Sequence, residues 1–206
     1  MRLNFGFKKS TLVSEGLSLV ILLGFMTMAR SSLADHYYVP SGSMEYSLIP
    51  GDRIIVDKTA YGFRIPLTTI DLFGAREPKR GDVAVFDSPR DGTRLVKRIV
   101  AVGGDVVSLH GGLLTINGQP LDRPAGEHTV VEQFGDDHKA VLNLDDGGGP
   151  DITDLKIPEG MVLALGDHRG DSLDGRYWGL ISEKELYGKA IAVYYRRGDG
   201  FTWRRL

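Results

Sequence analysis

Short runs rich in Val, Ile and Leu, separated by glycine, proline or asparagine, dominate the sequence after residue 52. Branched residues favour strands and glycine favours tight turns, so this spacing predicts many short strands. Residues 113–116 end at Asn117-Gly118, a dipeptide typical of two-residue hairpin turns. A single soluble helix is predicted at residues 182–186, where Ser182 and Glu185 form a capping box. The predicted strands are residues 53–58, 82–87, 94–102, 161–165, 188–197 and 201–206.

The composition argues against several classes of protein. The net charge of −2 gives no field to recruit nucleic acid, and no zinc-finger, helix-turn-helix or RNA-binding signature is present. The chain has no cysteine, so disulfides, thiolate metal sites and a cysteine nucleophile are all excluded. We therefore expect no cofactor, no metal and no nucleic-acid partner. The histidines lack metal-ligand spacing; they are His36, His110, His128, His138 and His168.

An uncharged stretch of 14 residues, 16–29, follows Arg2, Lys8 and Lys9. Its length fits a membrane anchor, a cleaved signal peptide or a buried helix, and the absence of a polar face disfavours the last. As a helix it would be roughly 22 Å long, against about 30 Å of hydrocarbon, although snorkelling flanks can extend it. The N-terminal lysines would place the start of an anchor in the cytoplasm and residues after Asp35 outside.

Residues 109–156 differ from the flanking runs by the acidic stretch "EHTVVEQFGDDHK" and by "DGGGPD". They form either a long irregular loop or a small β subdomain. We favour the subdomain because "TVVEQF" and "AVLNL" can pair as strands.

Ser41 and Ser43 lie on the short stretch "YVPSGSMEYSL". A hydroxyl is a poor nucleophile until a base removes its proton, and no histidine has a convincing context for that role. Lys97 is the other candidate, since in a strand it shares a face with Leu95 and Ile99, and burial would lower the pKa of its ammonium. The alternative is a surface strand with snorkelling Lys97 and Arg98.

A dense polar segment, "GDHRGDSLDGRYWG" at residues 166–179, follows a buried-looking strand. It is either a hydrogen-bonded network around a site or an ordinary charged turn. Asp174 and Arg176 can pair, and Ser172 can orient an amine.

Together these segments resemble the signal peptidase I family of membrane-bound serine proteases. The resemblance follows the family's order: an apolar anchor, "PSGSMEYSLIPGDRIIVDKTAYG", "KRGDVAVF", "LVKRIVAVGGD" and "GDHRGDSLDGRYWG". It covers nearly all of the chain except the insert. It implies an antiparallel β catalytic domain (35–108 and 157–206), an inserted β cap domain (109–156) and one transmembrane helix within residues 1–34.

The resemblance implies that Ser43 is the nucleophile, Lys97 the general base, and the Ser41 hydroxyl with the Ser43 backbone N–H the oxyanion hole. Ser172 would hydrogen-bond the lysine amine, and Asp174 and Arg176 would form a supporting ion pair. The attacked carbonyl would belong to a small residue, preferably Ala, with another small residue two positions earlier. The positions matching substrate-pocket residues are Val39, Leu48, Ile54, Val85, Leu95 and Val96.

Four positions depart from the family pattern. Tyr46 stands where proline is usual, His168 where Asn is usual, Gly170 where Asp is common and Gly175 where Ser is common. We expect Tyr46 to alter the substrate groove and the other three to loosen the supporting network.

The resemblance implies a protease of the bacterial inner membrane with a periplasmic catalytic domain, whose partners are the bilayer and the signal peptides of exported preproteins. The rivals are a specialised protease for one conjugation or pilus substrate and an inactive signal-peptide-binding protein. A self-cleaving repressor-like protein would lack the anchor and usually carry a DNA-binding domain.

Overall fold

The computed structural model describes residues 15–16, 18–22, 34–64, 71–73, 76–124, 130–135 and 138–206. The fold is mostly antiparallel β, as predicted. Helical structure after residue 34 is limited to α1 (Gly175–Trp178) and a 3₁₀ helix (Glu183–Glu185) within the described segments. The strands are β1 (Ala34–Tyr38), β2 (Arg53–Asp57), β3 (Phe63–Arg64), β4 (Asp71–Phe73), β5 (Val83–Asp87), β6 (Arg94–Val102), β7 (Val106–His110), β8 (Leu113–Ile116), β9 (Gln119–Pro120), β10 (Asp122–Pro124), β11 (Val130–Phe134), β12 (His138–Leu142), β13 (Ile152–Lys156), β14 (Met161–Leu165), β15 (Ile181–Ser182), β16 (Leu186–Arg196) and β17 (Gly200–Arg205).

The main sheet has the strand order β1-β2-β16-β5-β6-β14-β15, and β17 also pairs with β16. Strands β6 and β14 match the predicted bounds, and β2, β5, β16 and β17 lie within two residues of theirs. The central strands are buried on both faces. Val83 and Val85 belong to one hydrophobic cluster, whereas Ala84, Phe86 and Ile99 belong to another.

The insert contains regular strands, so the alternative of a long irregular loop is wrong. Strands β11 and β12 pair with Val130 opposite Leu142, which confirms the predicted pairing, and β10 completes a three-stranded sheet. The strands that flank this sheet in the sequence form a four-stranded sheet with the order β13-β7-β8-β9. Leu114 and Phe134 share one hydrophobic cluster with Leu163 of β14, so the core extends across the predicted domain boundary.

Local turn signals are confirmed where the hairpin and the capping box were predicted. Asn117 and Gly118 both have positive φ, 54° and 75°, and join β8 to β9. Ser182 Oγ accepts from Lys184 N, and Ser182 N donates to Glu185 Oε2. The predicted helix is a single 3₁₀ turn, Glu183–Glu185, because the chain enters β16 at Leu186.

The predicted anchor falls largely outside the described residues. Residues 15–16 and 18–22 are helical and exposed, and the rest of the apolar run, 23–29, is not described. Among the described residues, no helix has the length and apolar character needed to cross a membrane.

Candidate active site

Ser43 lies in a compact turn between β1 and β2. Met44 and Leu48 are buried in the core and are joined by a backbone hydrogen bond from Leu48 N to Met44 O (2.8 Å). Glu45 N donates to Gly42 O (2.9 Å), which closes the turn around the Ser-Gly-Ser segment. The apolar residues of the stretch therefore fix its hydroxyls in place.

Lys97 lies on β6 and is almost completely buried, with 3% of its surface exposed. Its Nζ lies 2.5 Å from Ser43 Oγ, a short hydrogen bond between residues 54 positions apart. Leu95 and Ile99 pack in one hydrophobic cluster, as the strand alternation predicted. The alternative of a surface strand with snorkelling side chains is wrong, because Arg98 is buried as well.

The environment of Lys97 lowers its pKa from 10.5 to about 8. Burial is the largest cause, since the charged ammonium loses solvation. The carboxylates of Asp174 and Asp167 oppose the shift, and the guanidinium of Arg176 reinforces it. An appreciable fraction of the amine is therefore neutral at mildly alkaline pH and can accept a proton.

Ser41 also approaches the nucleophile, with its hydroxyl 3.5 Å from Ser43 Oγ, at the outer limit of a hydrogen bond. This places the expected oxyanion donor on the same face of the turn. Among the described residues, no imidazole forms a hydrogen bond with Ser43 Oγ. Lys97 is thus the basic group in contact with this hydroxyl.

Asp174 and Arg176 form the predicted ion pair, and both side chains are fully buried. Asp174 caps α1, accepts from Gly166 N (2.9 Å) and receives Arg176 Nε (2.8 Å) and Nη2 (2.7 Å). Burial raises the pKa of this carboxyl, but the bonds from Arg176 outweigh it and hold the pKa below its usual value. The carboxylate therefore stays ionised beside Lys97.

Ser172 is buried beside the nucleophile segment. A Cβ on Gly166 would lie 2.3 Å from Ser172 Oγ and 2.4 Å from Ser43 O, so glycine there allows the two serine segments to approach. Ser172 Oγ has no hydrogen-bond partner among the described residues. The bond expected to the Lys97 amine is therefore not made in this structure, and the role of Ser172 stays a prediction.

Sequence reasoning missed a second buried ion pair, between Arg98 and Asp167. Arg98 Nε and Nη2 donate to the two carboxylate oxygens at 2.9 and 2.7 Å. Ser47, at the end of the nucleophile turn, donates to Asp167 Oδ2 (2.6 Å) and accepts from Arg98 Nη2 (3.0 Å). The near-continuous apolar run around Lys97 and Arg98 could have indicated that Arg98 is buried, since such runs occur in strands buried on both faces.

A third buried pair connects the polar segment to the insert. Arg169 Nη2 lies 2.6 Å from Glu132 Oε2, and both side chains are completely buried. Asn143 adds two backbone bonds, donating to Asp167 O and accepting from Arg169 N at 3.0 Å each. The insert therefore braces the segment that carries Asp174.

His168 lies where the nucleophile turn meets the insert. Its backbone N donates to Ser43 O (3.2 Å), and its Nε2 lies 2.9 Å from Asp146 Oδ2. Its buried Nδ1 lies 3.6 Å from Glu45 Oε2, beyond hydrogen-bond distance, and has no hydrogen-bond partner among the described residues. The residue therefore connects the two segments through its backbone and Nε2, and the expected loosening of the network stays a prediction.

Both glycine departures lie in close contact with backbone atoms of other segments. A Cβ on Gly170 would lie 2.4 Å from the carbonyl carbon of Asp146, and one on Gly175 would lie 2.9 Å from the carbonyl oxygen of Ala164. A larger side chain would force these segments apart. The expected loosening of the network at these two positions stays a prediction. Tyr46 is half exposed, and its effect on a substrate groove stays a prediction.

A cavity of about 120 Å³ opens beside Ser43 and Lys97. Val39, Leu95 and Val96 line it, as expected of residues that contact a substrate. The other three predicted pocket residues, Leu48, Ile54 and Val85, do not line it and are buried completely in the core. Within the described segments, no group of three or more His, Asp or Glu side chains is arranged to hold a metal ion.

Residues 12–195 match the family described as signal peptidase, peptidase S26. The signal peptidase I of Pseudomonas fluorescens is 32% identical over 91% of this chain and 74% of the relative, and that of Pseudomonas aeruginosa is 31% identical with the same coverage. A solved signal peptidase I from Enterococcus faecalis is 27% identical over 55% of this chain and 97% of its own, with a TM-score of 0.39.

The assignment to a family rests on the sequence matches, which span both segments that carry Ser43 and Lys97. The chain belongs to the signal peptidase family, peptidase S26.

Proposed function

We propose that this chain is an endopeptidase that removes N-terminal signal peptides from exported preproteins, with Ser43 as nucleophile and Lys97 as general base. The observation that carries the proposal is the 2.5 Å contact between Lys97 Nζ and Ser43 Oγ, made by a buried lysine whose pKa is lowered to about 8. A nucleophile and a base at this distance can exchange a proton directly.

The proposed reaction has two stages. Neutral Lys97 takes the proton of Ser43 Oγ as the oxygen attacks the substrate carbonyl, and the oxyanion is stabilised by the Ser41 hydroxyl and the Ser43 backbone N–H. The lysine then gives the proton to the leaving amine, and the peptide bond breaks to form an acyl-enzyme. Lys97 next takes a proton from a water molecule, whose oxygen attacks the carbonyl carbon of the acyl-enzyme. The ester bond to Ser43 Oγ then breaks, Lys97 returns the proton to Ser43 Oγ, and the signal peptide leaves with a free carboxyl group.

The proposed substrate preference is that of the family. The cavity of about 120 Å³ beside Ser43 and Lys97 admits a small side chain such as that of Ala. Val39, Leu95 and Val96 give it apolar walls. These features support cleavage after a small-x-small motif such as Ala-x-Ala.

The supporting groups have proposed roles of their own. The Asp174–Arg176 pair holds the polar segment against Gly166, and so positions the backbone that contacts Ser43. Ser172 would orient the neutral lysine amine after a small rotation of its hydroxyl. These are positioning roles, since the groups act through Lys97 and Ser43.

The proposed organisation follows the family. Residues 1–34 would form a cytoplasmic N-terminus and a single transmembrane anchor, residues 35–108 and 157–206 the catalytic domain, and residues 109–156 the cap. The catalytic domain would then lie on the periplasmic side of the bacterial inner membrane. An anchor would hold Ser43 near the bilayer, where signal-peptide cleavage sites emerge.

Experiment must distinguish this function from two alternatives. One is a protease dedicated to one conjugation or pilus substrate, and the other is an inactive signal-peptide-binding protein. The Ser43–Lys97 contact favours an enzyme over a binding protein. The test uses a panel of unrelated preproteins with the full-length chain and its Ser43→Ala variant. Cleavage of many by the full-length chain alone supports a general peptidase, cleavage of one supports the dedicated protease, and binding without cleavage supports the inactive protein.

A further inference from the structure

The substrate cavity has a charged end as well as apolar walls. Besides Ser43 and Lys97, it is lined by Arg94, Tyr37 and Tyr38. None of the described residues that line the cavity is acidic. A peptide that extends from Ser43 toward Arg94 therefore meets a guanidinium with no carboxylate in the cavity wall.

Arg94 is held in a defined position. Its guanidinium carbon lies 4.0 Å from the ring centre of Tyr187 and 5.9 Å from that of Tyr37, and its Nε contacts Asp87 Oδ1 at 2.7 Å. Aromatic stacking and one ion pair reduce the conformational entropy that a bound ligand would otherwise have to restrict. The position is thus prepared before a substrate arrives.

The hydrogen-bonding capacity of Arg94 is incompletely used. Its Nη1 is buried and has no hydrogen-bond partner among the described residues. A buried donor without an acceptor is unfavourable, so a small turn of the guanidinium that brings Nη1 to a substrate oxygen would relieve that cost. Asp87 does not line the cavity and is 57% exposed, so it neutralises the guanidinium only in part.

The spacing along β6 indicates which substrate residue Arg94 would meet. Arg94 precedes Lys97 by three positions on the same strand. At about 3.3 Å per residue the two lie roughly 10 Å apart, the span of three residues of an extended peptide. A substrate that runs parallel to β6, with the attacked carbonyl at Lys97, places its fourth residue before the cleaved bond beside Arg94. That residue directly precedes the Ala-x-Ala motif.

We infer that Arg94 forms a specificity subsite for an acidic side chain at the fourth substrate residue before the cleaved bond. This inference rests on the proposed function for the position of the cleaved bond at Ser43, and it takes the substrate to run parallel to β6. It predicts a preference for Glu over Gln, and for Gln over Lys, at that position. The preference acts on binding, so KM changes and kcat does not.

Three peptides that differ only in Glu, Gln or Lys before Ala-x-Ala test the inference. Binding is measured with the full-length Ser43→Ala chain, which needs no turnover, and cleavage with the unaltered chain. We expect Glu to bind at least about fivefold more tightly than Lys, as for a partly exposed charge pair, and the difference to shrink at high salt. Equal affinity for the three peptides would overturn the inference.

Variants of Arg94 and of nearby charged residues test whether the preference for Glu depends on Arg94 itself. Arg94→Gln should abolish the preference among the three peptides, and Arg94→Lys should retain part of it. Asp87→Asn should enlarge it by removing the competing carboxylate. Arg90→Gln is the control, since Arg90 is exposed in the preceding turn and does not line the cavity.

The outcomes also distinguish the inference from the proposed function. A binding preference for Glu without cleavage of any peptide would support the subsite and count against the peptidase. Cleavage with the same order of preference in Arg94→Gln would support the peptidase and overturn the subsite.

Discussion

Acidification should stop the reaction because Lys97 must be neutral to take the proton of Ser43. Burial lowers the pKa of Lys97 to about 8, so its neutral fraction falls about tenfold for each pH unit below that value. Relative to the alkaline plateau, kcat/KM should be about 9% at pH 7 and about 1% at pH 6. A lysine with its ordinary pKa would instead put the midpoint above pH 10.

An exposed carboxylate provides a mild perturbation of the same pKa. The charge of Asp171 raises the pKa of Lys97, although it contributes less than burial and the buried carboxylates of Asp174 and Asp167. Asp171→Asn should therefore shift the acidic limb to lower pH, so that more activity survives at pH 7. Asp199→Asn, exposed in the turn between β16 and β17, is the matched control and should leave the limb in place.

The assay is cleavage of an Ala-x-Ala peptide between about pH 5 and pH 10, with kcat/KM reporting the free enzyme. Lys97→Arg should be inactive at every accessible pH, because a guanidinium does not deprotonate. The assignment of the base would be refuted by an active Lys97→Arg chain with the same acidic limb. A midpoint that Asp171→Asn moves to higher pH would refute the electrostatic argument.

The same pKa shift has a consequence for stability. The folded pKa of Lys97 lies below the unfolded value, so the unfolded chain binds the extra proton between about pH 8 and pH 10.5. The free energy of unfolding should therefore rise with pH in this window, by up to about 3 kcal/mol from this group. Urea unfolding at both ends of the window, compared with Lys97→Met, measures the contribution.

Three further predictions concern the oxyanion hole, the brace and the N-terminus. Ser41→Ala should lower kcat by roughly 10–10³-fold with little change in KM, and a raised KM at unchanged kcat would make Ser41 a binding residue. Glu132→Gln should destabilise the fold by about 3–5 kcal/mol in urea unfolding, because it leaves the buried Arg169 unpaired, and a loss below about 1 kcal/mol would contradict this. A chain that begins near Asp35 should cleave peptides normally but membrane-inserted preproteins more slowly. If expression of the full-length sequence instead yields soluble protein whose first residue is Asp35, the N-terminal segment is a cleaved signal.

The strands could be predicted because their signal is local. Branched runs bounded by glycine determined β6 and β14, and Asn117-Gly118 determined a turn in which both residues have positive φ. The helix predicted at residues 182–186 is only one 3₁₀ turn, Glu183–Glu185, because the pairing of β16 begins at Leu186. Capping signals give the start of a helix but not its length.

The candidate site was predicted in part. Alternation along β6 placed Lys97 with Leu95 and Ile99, but the burial of Arg98 depends on Asp167, 69 residues away. The roles of His168 and Gly170 depend on the approach of the insert, which no local pattern reports. Long-range ion pairs and close backbone contacts therefore could not be predicted from the spacing of residue types along the chain.

The central claim is that Ser43 and Lys97 act as one catalytic unit on signal peptides. The most direct measurement is cleavage of a preprotein with an Ala-x-Ala site by the full-length chain and by Ser43→Ala, Lys97→Ala and the double variant, with folding checked by circular dichroism. We predict cleavage after the motif by the unaltered chain, and an equal loss of activity in each single variant and in the double variant, because the two groups act together. Cleavage by a folded Ser43→Ala chain, or near-normal turnover by Lys97→Ala, would contradict the claim.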